Sequence, residues 1–216
     1  MKLSVVIFDL DGTILDNEDE YGAAFKKVLK SLGKNVKSKF PHTQGIGVEE
    51  NWRQLIAKYK IKTDKNPEEL AKETQDAYLE QLPKVTLKKG VEEFIADLRD
   101  SDITVTLATS NIWPTVDKVL TALNLEETFD LVTTAEEAKY SKPDPDLFLL
   151  TADKLGVDTE SCLVIEDSPA GIEAAHRARM KVVAIARDKE HAKTLKQAEL
   201  VVFNYNQLSL QKVANL

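Results

Sequence analysis

Short unbroken apolar runs alternate with helically spaced apolar positions along much of the chain. Leu3, Val5, Val6, Ile7 and Phe8 make the first run. β-Branched residues dominate it and no helical period is present, so it predicts a strand buried on both faces. From Gly90 onward the two patterns alternate. Val91, Phe94, Ile95 and Leu98 share one helical face across 91–99. Residues 103–107 read as a strand, 116–123 as a helix, 131–132 as a short strand and 145–155 as a helix. Residues 163–165 and 181–186 are further strands. Gly156 is placed to cap the helix before it. Ser168-Pro169 reads as an N-cap followed by a first-turn proline. The repeated β–α pattern predicts an α/β fold, a parallel sheet with helices on both sides.

Residues 16–85 interrupt that pattern and show no strand. Tyr21, Ala24, Phe25, Val28 and Leu32 recur at helical spacing, as do Trp52, Leu55, Ile56 and Tyr59; Leu70, Ala77 and Tyr78 predict a third helix after Pro67. The division is therefore a core of 1–15 and 86–216 with an all-helical domain of 16–85 inserted after the first strand.

Charge and composition narrow the classes. The formal net charge of -7 lacks the basic footprint of a general nucleic-acid binder. An anionic small substrate stays possible, because a bound cation reverses the local field. Lys26, Lys27, Lys30, Lys34, Lys37 and Lys39 read as a solvated face. The single cysteine, Cys162, permits no intrachain disulfide and reads as a small buried hydrophobe. The first apolar run is too short for a signal peptide, and no stretch reaches membrane-spanning length. The expectation is a cytoplasmic protein and a monomer, with neither a nucleic-acid nor a membrane partner.

The candidate chemistry lies at strand ends. The first strand runs into Asp9-Leu10-Asp11-Gly12-Thr13, where Gly12 allows a sharp turn. Open α/β sheets bind ligands at the carboxyl ends of their strands. Neighbouring carboxylates there call for a cation or a shared proton; the alternative is an acidic turn capping the next helix. Glu166-Asp167 ends a second strand, and Thr109-Ser110-Asn111 follows a third. Taken alone, Glu166-Asp167 would read as helix capping.

Asp9-Leu10-Asp11-Gly12-Thr13 resembles the first motif of the haloacid dehalogenase superfamily of phosphohydrolases. Leu107-Ala108-Thr109-Ser110-Asn111, Lys142-Pro143-Asp144-Pro145 and Ile165-Glu166-Asp167-Ser168 are similar to the second, third and fourth, in the family's order. The resemblance covers residues 2–186. It implies a Rossmann-like core, and for 16–85 a cap that closes over the catalytic face. It also implies Asp9 as nucleophile, Asp11 as general acid and base, and Lys142 as the neutralising cation. Thr109, Ser110 and Asn111 would hold phosphate together with Lys142. Asp9, Asp11 (through its carbonyl), Glu166 and Asp167 would hold Mg2+. Lys142 is read as an exposed lysine held between turn residues. Tyr21 and Gly45 are candidate substrate contacts, the latter in a cap loop of 42–47 that also carries His42.

Asp11 points to phosphoryl transfer rather than dehalogenation. The motif spacing and the cap look most like the branch of β-phosphoglucomutase and phosphoglycolate phosphatase. The expected activity is Mg2+-dependent hydrolysis of a small phosphorylated metabolite through an aspartyl-phosphate. A sugar phosphomutase is the alternative, weakened because Tyr21, Val48 and Thr74 align with basic cap positions of the mutase. A phosphoacceptor signalling domain is the non-enzyme alternative.

Overall fold

Strand β1 (Val5–Phe8) occupies the middle of a six-stranded sheet. A computed structural model describes residues 3–216; Met1 and Lys2, where the predicted core segment begins, lie outside the described residues. The other strands are β4 (Thr104–Ala108), β5 (Leu131–Thr133), β6 (Cys162–Glu166), β7 (Lys181–Ile185) and β8 (Leu200–Val202). Their order is β5-β4-β1-β6-β7-β8, and every pairing is parallel. Chain direction across the sheet reverses at β1, the kind of switch point where α/β sheets place ligands. Phe8 pairs with both Leu107 and Ile165. The segments following these three residues therefore leave the sheet at one common edge.

Both faces of the sheet are covered, which is why its strands are mostly apolar. Val6 and Phe8 point into one core layer with α4 (Val91–Arg99) and α5 (Trp113–Ala122). Val5 and Ile7 point into the other, with α6 (Asp146–Leu155) and α7 (Pro169–Arg177). Alternation along a strand thus divides one apolar run between two cores. Cys162 is buried at the start of β6, and burial raises its thiol to about 11. The chain beyond 186 adds α8 (Lys189–Thr194), β8 and α9 (Leu210–Ala214), which the hydrophobic pattern does not include. Elements of three to six residues hold too few positions to display a period. Among the described residues no helix is long and apolar enough to cross a membrane.

The interruption after β1 contains α1 (Glu18–Ser31), α2 (Val48–Tyr59) and α3 (Pro67–Leu79). At its two ends, β2 (Leu15–Asp16) pairs antiparallel with β3 (Thr86–Leu87). Asp16, placed by the pattern in the helical insertion, belongs to this ribbon instead. Asn66 and Glu69 cap α3 reciprocally, with Pro67 in its first turn. Helix α3 packs against α1 and α2 through the buried Phe25, Trp52, Leu70 and Tyr78.

The loop between α1 and α2 is tied down by one side chain. Buried Asn51 accepts from Thr43 N–H at 2.7 Å and donates to the carbonyls of Thr43, Ile46 and Gly47 at 3.0–3.3 Å. Asn51→Ala is expected to destabilise the protein by about 2 kcal/mol, because several backbone groups lose their partner at once. It should also speed proteolytic cleavage within 43–47. Urea unfolding and limited proteolysis check this, and a variant matching wild type in both would refute the role.

Candidate active site

At the shared strand edge, Lys142 lies between two carboxylates. Its Nζ is 2.7 Å from Asp9 Oδ1 and 2.7 Å from Glu166 Oε1. The residue is 2% exposed and its Nζ lies 4.9 Å from the centre of the Phe148 ring. This corrects the expectation of an exposed lysine: the segment 142–145 turns inward, and the amine spans the gap between β1 and β6. The Lys142-Pro143 peptide is cis. The second oxygen of Glu166 accepts from the N–H groups of Asp167 and Ser168 at 2.8 Å and from the Ser168 hydroxyl at 2.9 Å. Ser168 Oγ in turn caps α7 by accepting from Gly171 N–H.

Oxygen atoms of Asp9, Glu166 and Asp167 all lie within 4.8 Å of one another, and all three residues are buried. Gly12, at φ +73°, closes the turn beside them; a Cβ there would lie 2.1 Å from Asp167 Oδ2. Three buried carboxylates against one ammonium leave negative charge uncompensated and present only hard oxygen donors. That donor set fits a small divalent cation. The protonation equilibria carry the same imbalance. Burial raises Asp9 to about 8 despite Lys142, and lifts Asp167 well above the usual carboxylate range, with Glu18 and Glu166 adding to it. Burial opposes the charge on Lys142, but Asp9 and Glu166 hold its pKa above the ordinary value.

Asp11 is turned away from that cluster. Asn17 Nδ2 donates to its Oδ1, and Asn111 Nδ2 to its Oδ2, each at 2.5 Å. Both amides are held from the insertion. Asn17 Nδ2 also donates to Tyr78 OH at 2.7 Å, and Tyr21 OH donates to Asn111 Oδ1 at 3.0 Å. The two phenol rings stack at 3.9 Å and 11°. Burial raises Asp11 to about 7, with the two amides working against it. Asn17 and Tyr78 escape the sequence reasoning. Helical spacing places Tyr78 on a buried face, and nothing in that spacing tells where its hydroxyl ends.

The remaining candidates gather nearby. Thr109 is buried, and its Oγ1 accepts from Asn111 N–H at 3.2 Å. Ser110 Oγ donates to Gly45 O at 3.1 Å, joining the 42–47 loop to the core. Gly45, at φ +79°, fits against α7 only without a side chain, since a Cβ would meet Ser168 Oγ at 1.9 Å. Neither Ser110 nor Asn111 caps α5, which begins after Ile112 without a side-chain cap. The side chain of Asn111 is engaged by Asp11 and Tyr21, so it serves Asp11 rather than standing open to a phosphate.

A cavity of about 40 Å³ lies over Asp9 and Asp11, lined also by Tyr21, Val48, Gly45 and Thr109. It shares Val48 and Ser110 with a cleft of about 780 Å³ between α2, α3 and α5. Thr74 does not reach either. It accepts from Trp52 Nε1 at 2.8 Å and donates to Leu70 O inside the insertion, so its alignment with a basic cap position carries no functional meaning.

Comparison with known proteins agrees with this geometry. The sequence profile described as haloacid dehalogenase-like hydrolase matches residues 6–185. Hexitol phosphatase B of Escherichia coli K12 is 30% identical over 186 residues, spanning 85% of this chain and 84% of that protein. A phosphorylated carbohydrates phosphatase of Thermotoga maritima is 29% identical over 201 residues, 92% and 93% of the two chains. The crystal structure of β-phosphoglucomutase from Clostridium difficile superposes with a TM-score of 0.87 at 28% identity, covering 99% of this chain and 96% of that one.

Two outcomes follow from the charge imbalance. Lys142→Met should lower stability by about 3–5 kcal/mol, because Asp9 and Glu166 lose their buried counter-charge; denaturant unfolding measures it, and a change near zero would contradict the buried pairing. In EDTA, the raised Asp9 and Asp11 make the folded state bind more protons than the unfolded chain between about pH 4 and pH 8. Stability from these groups is full below the unfolded carboxylate range and is lost as pH rises to about 8. The melting temperature should therefore fall from pH 5.5 to pH 8 and recover at pH 8 when a divalent cation is added. A melting temperature insensitive to the cation at pH 8 would contradict this.

Proposed function

The chain belongs to the haloacid dehalogenase-like hydrolase family, and on that premise we propose that it is a Mg2+-dependent phosphatase hydrolysing a small phosphorylated sugar or polyol through an aspartyl-phosphate. The observation that carries the reading is Asp9 at the end of β1. It is buried, paired with Lys142 at 2.7 Å, and opens into the same cavity as Asp11.

In this reading an Asp9 carboxylate oxygen attacks phosphorus while the bond from phosphorus to the ester oxygen breaks. Asp11 gives its proton to the departing oxygen. The Asp11 carboxylate then takes a proton from water, whose oxygen attacks phosphorus and frees Asp9 together with inorganic phosphate. A pKa of about 7 suits both halves of that exchange. Asn17 and Asn111 fix the orientation of Asp11. Lys142 stabilises the negative charge shared by Asp9 and the phosphoryl oxygens. Thr109 and the backbone that follows β4 face the same group. Asp9, Asp167 and the Asp11 carbonyl would hold Mg2+, with Glu166 beside them bonded to Lys142 and the start of α7. Bound there, Mg2+ supplies charge neutralisation at the phosphoryl group. Helices α1–α3 act as the cap.

The sugar or polyol substrate rests on the relatives named above. The mutase alternative is not better supported: Tyr21 and Val48 stand at the aligned basic positions of the cavity, which no lysine or arginine lines, while Arg53, Lys72 and Lys118 line the adjoining cleft. As a phosphoric monoester hydrolase the protein is an enzyme, which sets aside the phosphoacceptor domain.

Asp9→Asn should lower phosphate release by about 10⁴-fold or more while leaving the fold intact. Asp11→Asn should slow hydrolysis of an alkyl phosphate by about 10²–10⁴-fold. The loss should be much smaller with p-nitrophenyl phosphate, whose leaving group needs no proton. Steady-state phosphate release with Mg2+ tests both. Turnover by the Asp9 variant near the wild-type rate, or full activity after exhaustive EDTA treatment, would overturn the mechanism.

A further inference from the structure

Tyr205 reaches the catalytic turn from the C-terminal part of the chain, beyond the residues 6–185 that the family profile matches. It opens a single 3₁₀ turn, Tyr205–Gln207, that follows β8. The residue is 1% exposed. Its ring centre lies 6.2 Å from that of Phe8 and 5.7 Å from that of Phe94. Its hydroxyl donates to the carbonyl of Thr13 at 3.1 Å. Phe8 and Thr13 bracket the segment that carries Asp9 and Asp11. One side chain therefore touches both ends of that segment.

A phenylalanine would fill the same apolar space, and a buried hydroxyl is favourable only with a partner. Burial raises the phenol well above its ordinary range, with Asp9 and Asp167 adding to it, so the hydroxyl keeps its proton and donates. The same residue bonds the other limb of the insertion. Its backbone N–H donates to Lys89 O at 3.1 Å, and the neighbouring Lys88 N–H donates to Ile14 O at 2.8 Å. Gly90, at φ +81°, lies against the next residue of the turn, where a Cβ would meet Asn206 Oδ1 at 2.0 Å. From the insertion, Asn17 Oδ1 accepts from Gly12 N–H at 3.0 Å. The backbone of 11–13 is thus pinned twice, by the insertion through Asn17 and by the core through Tyr205.

We propose that Tyr205 is a positioning residue for the reaction: by holding the Thr13 carbonyl it fixes the backbone that carries Asp11, and with it the placement of the acid and base. The role deepens the phosphatase reading and rests on it. Tyr205 does not line the cavity over Asp9 and Asp11, so it acts through Asp11 and not on the phosphoryl group. Proton transfer is sensitive to such placement, since a shift of about 1 Å can cost on the order of 10²-fold in rate.

Tyr205→Phe tests the proposal, because it removes the hydroxyl and keeps the ring between Phe8 and Phe94. With Mg2+, its kcat for glucitol 6-phosphate should fall by about 10-fold or more, with KM nearly unchanged. Its kcat for p-nitrophenyl phosphate should fall by less than about 3-fold, because that leaving group needs no proton. Phe94→Leu loosens the same aromatic cluster and keeps the hydroxyl. It should lower the melting temperature and leave the ratio of the two kcat values as in wild type. A further measurement is independent of turnover. Hydrogen exchange read by mass spectrometry should show the amides of 10–15 exchanging about 10-fold faster in Tyr205→Phe, with β4 and β6 as in wild type. Equal losses on both esters, no loss on either, or a ratio lowered as much by Phe94→Leu would overturn the role. Exchange in 10–15 that is unchanged, or raised equally across the sheet, would overturn it too. Phosphate release from neither ester by wild type would instead sink the phosphatase reading. Where wild type turns over only one ester or neither, the exchange result alone decides whether Tyr205 holds the turn.

Discussion

The site depends on a single buried ammonium set among carboxylates. Asp9, Glu166 and Asp167 are all withdrawn from water, and Lys142 is the one lysine or arginine among the described residues that is buried with them. Its bonds to Asp9 and Glu166 join β1 to β6 at the edge where the chain leaves the sheet. Removing charges from water is expensive unless each is paired and hydrogen-bonded. Glu166 meets that demand through Lys142 and three donors from Asp167 and Ser168. Asp9 meets it in part, and Asp167 less, which is why both hold protons more tightly than an ordinary aspartate. A divalent cation would relieve the excess, and the metal requirement we propose is the electrostatic counterpart of this packing.

A second constraint links the helical insertion to the chemistry. Both oxygens of Asp11 are held by amides, and both amides are held by phenols of the insertion, which stack on each other. The orientation of Asp11 thus rests on contacts that α1 and α3 make over the core. The arrangement shields the acid in part from water, which raises its pKa, and places it at the cavity over Asp9. Ser110 and Gly45 make a separate contact between insertion and core, and Gly45 permits it by lacking a Cβ. The placing of the insertion over the core and the orientation of Asp11 rest on the same contacts.

The parallel sheet explains why segments far apart in the chain meet. In-register pairing of β1 with β4 and β6 carries three motif segments to one edge. The fourth segment, 142–145, enters ahead of α6 and delivers Lys142 beneath them. Each strand end needs a sharp exit, and Gly12 provides one in a space that Asp167 already fills.

Much of this was legible in the amino-acid order, because it rests on local repetition. Apolar runs marked β1, β4, β6 and β7; helical spacing marked α1–α4 and α6; Ser168-Pro169 and Gly156 marked helix ends. Acidic pairs after two of the strands marked the edge where chemistry sits, since few other roles place carboxylates beside buried strands. Periodicity has no access to depth or to what lies across a gap. Lys142 sits in a polar turn whose composition is that of solvent, and only the fold shows it to be buried between two carboxylates. Asn17 and Tyr78 are an ordinary helix-start residue and an ordinary core aromatic in sequence. Asn17 bonds Asp11 and is held there by Tyr78, 61 residues further on, because α3 packs against α1.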